Sequence, residues 1–85
     1  MAYTVKWHPR TREFLRKCDP AISQRIVRKV DAIKDDPLLY VEYYSILKMS
    51  KLRVGDWRIF MDIDTKNRII EILLIDHRGR IYKNL

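Results

Sequence analysis

Glycine, proline and cysteine are scarce in this chain: two, three and one among 85 residues. With so few breakers there is no Gly/Ser-rich or Pro-rich linker. A length of 85 residues, 47% of them hydrophobic, fits one compact domain over 1–85 with a single modest core. The lone Cys18 excludes an internal disulfide, and with only His8 and His77 beside it no Cys/His cluster stands at metal-ligand spacing. No metal or cofactor is expected, and Cys18 reads as a small buried apolar residue. Long apolar runs are missing too: nothing approaches the roughly 20 residues of a membrane span. The opening "MAYTVKWHPR" alternates instead of showing a basic start and an apolar block, so the expected location is cytoplasmic.

Acid is also in short supply. Eleven Asp and Glu face eighteen Lys and Arg, a formal charge of +7. On so small a domain this points to a polyanion or an acidic protein partner, with plain solubility as the competing reading. Where the charge sits decides between them.

"AYTVKWH" sets Tyr3, Val5 and Trp7 against Thr4, Lys6 and His8, the period of a half-buried strand that Pro9 ends. "PRTREFLRKC" reads as a short helix turning Phe14, Leu15 and Cys18 inward. Asp19 and Pro20 form a helix start, and Ile22, Ile26, Val30 and Ile33 then recur at helical spacing, predicting a helical hairpin against a sheet. Asp36 and Pro37 break that helix. The following "LLYVEYYSIL" has no clear period, and Tyr40, Tyr43 and Tyr44 are expected to pack. "KLRV", Gly55 and Asp56, and "WRIFMDID" make a two-residue hairpin; "RIIEILLID" is a further strand, and "RIYKNL" a short terminal one. The class is α+β: an N-terminal strand, a two-helix hairpin, then an antiparallel sheet of three or four strands with helices on one face.

With Gly55 and Asp56 as the loop, Arg53 lies opposite Arg58 and Lys51 opposite Phe60. Alternation sends Leu52, Val54, Trp57, Ile59 and Met61 to the helix side and Lys51, Arg53 and Arg58 to the other. Two arginines directly across a sheet disfavour folding by up to roughly 1 kcal/mol, so an anion is the natural third party, unless Asp62 and Glu71 neutralise them. On the next strand Ile70, Ile72 and Leu74 are expected on the helix side, with Glu71, Leu73, Ile75 and His77 on the cationic side. "HRGRIY" adds His77, Arg78, Arg80 and Tyr82 to the same patch. Basic side chains interleaved with aromatics suit a phosphate backbone and stacked bases.

"LRVGDWRIFMDID" followed by "IIEILLIDHRGRIY" resembles the RelE/ParE family of type II toxin–antitoxin toxins, and the RelE branch most closely. The resemblance implies a ribosome-dependent mRNA endoribonuclease (mRNA interferase) that inhibits translation. Its metal-independent cleavage is attack by a ribose 2′-hydroxyl on the adjacent phosphate. An acidic RelB-like antitoxin, the ribosome and mRNA are the implied partners, with a toxin–antitoxin heterotetramer as one form of the complex. By the same resemblance Lys51 matches the lysine on the base side, Arg58 the phosphate-stabilising arginine, Arg78 the proton donor to the leaving group, and Tyr82 the terminal tyrosine that orients RNA. Arg53, His77, Arg80 and Lys48 are substrate-binding candidates, with His77 also able to replace or assist the base. Met49 stands where relatives with a lysine pair carry the second lysine. A ParE-like DNA gyrase inhibitor, or a catalytically weak nucleic-acid-binding relative, remain open alternatives.

Overall fold

The computed structural model of the chain describes residues 2–77. β1 (Thr4–Trp7) leads into α1 (Pro9–Lys17) and α2 (Pro20–Ile33). A 3₁₀ turn (Pro37–Leu39) then precedes β2 (Glu42–Tyr44), β3 (Met49–Val54), β4 (Trp57–Asp64) and β5 (Ile69–His77). The strands form one five-stranded sheet in the order β1-β5-β4-β3-β2. The terminal strand expected over "RIYKNL" lies outside the described residues.

Both helices begin on caps written in the sequence. His8 Nδ1 accepts from Arg10 N–H at 3.2 Å ahead of Pro9, and Asp19 Oδ1 accepts from Ala21 N–H at 2.8 Å ahead of Pro20. Each cap satisfies a donor that the first helical turn leaves open, and each proline stands where no donor is needed. Ile26, Val30 and Ile33 of α2 are buried against Leu52, Val54, Ile59, Met61, Ile70 and Ile72 of the sheet. Each isoleucine so covered contributes about 2 kcal/mol. Polar ties add to the packing: Thr11 Oγ1 donates to the His8 carbonyl at 2.6 Å and to the Ile72 carbonyl of the sheet at 3.4 Å, and Ser23 Oγ joins α2 to the Leu15 carbonyl of α1 at 2.6 Å. Cys18 is half-buried at the end of α1 rather than in the core, its N–H bonded to Phe14 O.

Three features depart from the sequence expectation. The sheet is mixed rather than purely antiparallel, because β1 pairs in parallel with β5, Val5 facing Ile70 and Trp7 facing Ile72. The strand period was legible in β1, but its direction depends on the two-helix crossover that follows, which returns the chain far from where it left. The aperiodic segment after Pro37 supplies an edge strand, β2, three residues long and too short to show a period. Of its tyrosines only Tyr44 packs, against Phe60 at 5.6 Å between ring centres; Tyr40 and Tyr43 are 52% and 68% exposed.

The third departure concerns facing. Phe60 pairs with Leu74 and Met61 with Ile72, so Leu73 is the extra residue of a bulge. A bulge shifts side-chain alternation by one beyond it. Ile75 therefore lies opposite Ile59 on the helix side, and His77 opposite Trp57, its ring edge-on to that indole at 5.5 Å. Leu74 and Asp76 take the places on the open face that Ile75 and His77 were expected to hold.

Candidate active site

The β3–β4 hairpin closes on Gly55 and Asp56, with Val54 paired to Trp57 and Arg53 to Arg58. Of the two loop residues only Gly55 has a positive φ, +59°, the pattern of the turn that takes glycine first. This register places Lys51, Arg53 and Arg58 together on the face that the helices leave open. Strand β2 adds Glu42 directly across from Lys51. The result is a pocket of about 270 Å³ lined by Tyr40, Glu42, Lys51, Arg53 and Arg58.

The two facing arginines differ in burial and in partners. Arg58 is only 6% exposed, and its Nη1 donates to the Gly55 carbonyl at 2.9 Å and to the Trp57 carbonyl at 3.0 Å. Folding back onto the turn gives that guanidinium two acceptors, whereas Arg53 stays exposed. Such anchoring fixes a cation without neutralising it, because carbonyl oxygens carry only partial charge. On its other side Arg58 stands across from Asp76 of β5. Lys51 lies half-buried with Nζ 5.2 Å from the centre of the Tyr44 ring. Its ammonium thus rests over an aromatic face, and Glu42 is its neighbour across the strand pair.

The other predicted site residues fall elsewhere. Lys48 occupies the β2–β3 turn with φ +55°, exposed and away from the pocket lining. His77 lies on the helix side, turned there by the bulge at Leu73. Met49, on β3, shares the face of Lys51 two residues along. Arg78, Arg80 and Tyr82 lie outside the described residues. His8 is a helix cap. Asp62 and Glu71, which might have neutralised the arginines, face one another further along the sheet and line no part of the pocket.

Two lining residues escaped the sequence reading, Tyr40 and Glu42. The signal was present: Tyr40, Glu42 and Tyr44 alternate at a spacing of two, which puts them on one side of an extended segment. With Glu42 the pocket holds a proton acceptor beside its cations. A ring, a carboxylate, an ammonium and two guanidiniums around one cavity can hold a phosphodiester, take a proton beside it and offer a stacking surface. Among the described residues no three His, Cys, Asp or Glu side chains gather as a metal site, and no helix is long and apolar enough to cross a membrane.

The fold has close counterparts. The RelBE2 toxin–antitoxin complex of Mycobacterium tuberculosis contains a chain 26% identical with a TM-score of 0.81, over 92% of this chain and 100% of that one. The archaeal RelE–RelB complex of Pyrococcus horikoshii gives 22% identity and a TM-score of 0.75, over 94% and 99%. A mutant of the Escherichia coli toxin RelE in the free state gives 14% and 0.67, over 98% and 93%. The latter two show the shared fold alone. Among the curated proteins none matches the chain. Residues 5–82 match the family described as ParE toxin of type II toxin–antitoxin system, parDE. Nearly the whole chain is covered, and the protein belongs to this family of type II toxin–antitoxin toxins.

Proposed function

We propose that this toxin is a ribosome-dependent mRNA endoribonuclease. The observation that carries the reading is the gathering of Lys51, Arg53 and Arg58 with Glu42 and Tyr40 around a single pocket. In the reaction the 2′-hydroxyl oxygen bonds to the adjacent phosphorus and the bond from phosphorus to the 5′ oxygen breaks. The products are a 2′,3′-cyclic phosphate and a 5′-hydroxyl. The 2′ proton passes to a base, for which Glu42 and Lys51 are the groups in place. A second proton goes to the departing 5′ oxygen, the role the resemblance gives Arg78. Arg58, pinned by two carbonyls, and the freer Arg53 stabilise the charge that builds on the phosphate, and no reorganisation is needed at that moment. Tyr40 offers a face for a base. A site this open orients free RNA poorly, which fits dependence on the ribosome to present the message.

An acidic RelB-type antitoxin is the proposed protein partner. A charge of +7 calls for one, and two of the similar structures are complexes with RelB proteins. The test is primer extension on mRNA in translating ribosomes, with the purified toxin and its Arg58→Ala variant. Cleavage by the original alone supports the reading, and intact message with folded protein refutes it. The description of the matching family as ParE favours a second reading, inhibition of DNA gyrase, which a supercoiling assay on the same preparations decides.

A further inference from the structure

A second groove lies on the other side of Arg53. It measures about 360 Å³, runs between α2 and the β3 end of the hairpin, and is lined by Arg25, Arg28, Lys29 and Arg53 together with Ala32, Val54 and Gly55. Strand β2 pairs only with Met49–Lys51, so the edge of β3 from Leu52 to Val54 is left without a strand neighbour on this side. Two observations join this groove to the candidate active site. Arg53 lines both cavities, and Lys29 Nζ sits 5.9 Å from the centre of the Tyr40 ring, which belongs to the other one.

The four cations form no ion pair with an acid among the described residues. Among the described residues, ion pairs join Glu13 to Arg16 and Lys17, and Asp31 to Lys34, and none reaches Arg25, Arg28, Lys29 or Arg53. Arg25 approaches the turn closely: its Nη2 lies where a Cβ on Gly55 would be only 2.6 Å away. A glycine at the turn is therefore what admits this guanidinium to the hairpin tip. Like charges pressed together without an acid cost stability, and a bound polyanion relieves that cost.

We propose that this groove is a phosphodiester subsite for single-stranded RNA flanking the cleaved position. The strand runs from the active-site pocket past Arg53 onto Arg28, Lys29 and Arg25. The inference rests on the RNA-binding half of the proposed function. An acidic protein is the poorer fit, because the core of a protein interface is more apolar than its rim, and here the apolar lining is only Ala32 and the buried Val54 among four cations. Of the exposed large apolar side chains, Val27 is on α2 but lines a different cavity, and Leu38, Leu39, Tyr43 and Ile46 lie on the 3₁₀ turn, on β2 and in the turn after it, not in the groove. Half-exposed Tyr40, between the two cavities, supplies a stacking face where the strand crosses from one to the other.

The test is fluorescence anisotropy at several salt concentrations, using full-length toxin and a labelled single-stranded RNA of roughly twelve nucleotides carrying 2′-O-methyl groups, which cannot be cleaved. Arg28→Ala with Lys29→Ala is expected to weaken binding about tenfold at low salt and to reduce the slope of log affinity against log salt by about 1.4. Arg12→Ala with Lys66→Ala removes the same charge from other exposed positions and is expected to change affinity less than about threefold. Equal weakening by the two pairs overturns the proposal, as does failure of the original toxin to bind RNA at low salt. Binding of polyglutamate in preference to the RNA, lost in the groove variant, overturns it in favour of a protein partner. Thermal melts of both variants check folding. Groove-dependent RNA binding without cleavage on ribosomes would sustain the subsite and refute the nuclease; cleavage with groove-independent binding would do the reverse.

Discussion

The two turns of the β3–β4–β5 meander treat charge in opposite ways. At the β4–β5 end Asp64 closes the loop on itself, accepting from Asn67 N–H at 3.0 Å and from Asn67 Nδ2 at 2.8 Å. At the β3–β4 end the Gly55 carbonyl takes Arg58, and Arg25 presses against the same glycine. One turn satisfies its ion locally. The other gathers guanidiniums, and the hydrogen bonds that hold Arg58 there go to the neutral carbonyls of Gly55 and Trp57. The difference lies in what each turn does with the charge of its own residues: one uses it inside the loop, the other turns it toward the candidate site.

Breaking the charged turn should have the largest consequence. Arg58→Ala is expected to lower cleavage on ribosomes roughly 100-fold or more, since it removes a preorganised cation from the phosphate. It should also cost about 2 kcal/mol of stability through the two lost carbonyl bonds, read by urea denaturation. Next comes Glu42→Gln. If the carboxylate takes the 2′ proton, the rate of cleavage falls about 100-fold; an unchanged rate would assign the base to Lys51.

Gly55→Ala sharpens the comparison at the level of the backbone. A φ of +59° costs a side-chain-bearing residue about 1–2 kcal/mol. The clash itself is with the far end of Arg25, which can swing aside, so the backbone strain sets the stability loss. Displacing Arg25 is the added effect, read as weaker RNA binding. The smallest effect belongs to the self-contained turn. Hydrogen bonds from the Asn67 backbone and then its side chain hold the Asp64 carboxyl below the usual carboxylate range. The unfolded chain therefore takes up that proton more readily, and the stability the turn gains is lost as pH falls through the depressed folded value. Asp64→Asn should flatten this acid-side loss in denaturation curves taken at stepped pH, and leave RNA cleavage alone.

Local chemistry was legible wherever a rule acts over a few residues. The caps at Asp19 and Pro20, the stripe of Ile26, Val30 and Ile33, and the hairpin register that puts Arg53 across from Arg58 all follow from spacing. So does the alternation of Tyr3, Val5 and Trp7. Tyr40 and Glu42 carried a period of two as well, but three paired residues do not stand out from a segment rich in aromatics. His77 was misplaced for a different reason. A single bulged residue, Leu73, reverses every facing beyond it, and nothing in a run of Ile and Leu marks which one bulges.

By itself, then, the sequence determined the elements, the tight turn and the surplus of cations, because helix periodicity, strand alternation and turn chemistry are properties of neighbours along the chain. Only the tertiary structure decided that β1 joins the sheet in parallel, that Glu42 stands across from Lys51, and that Arg25 of α2 reaches the hairpin tip. Each of these is a contact between segments distant in sequence. Their geometry is set by how the helices cover one sheet face and leave the other to gather charge.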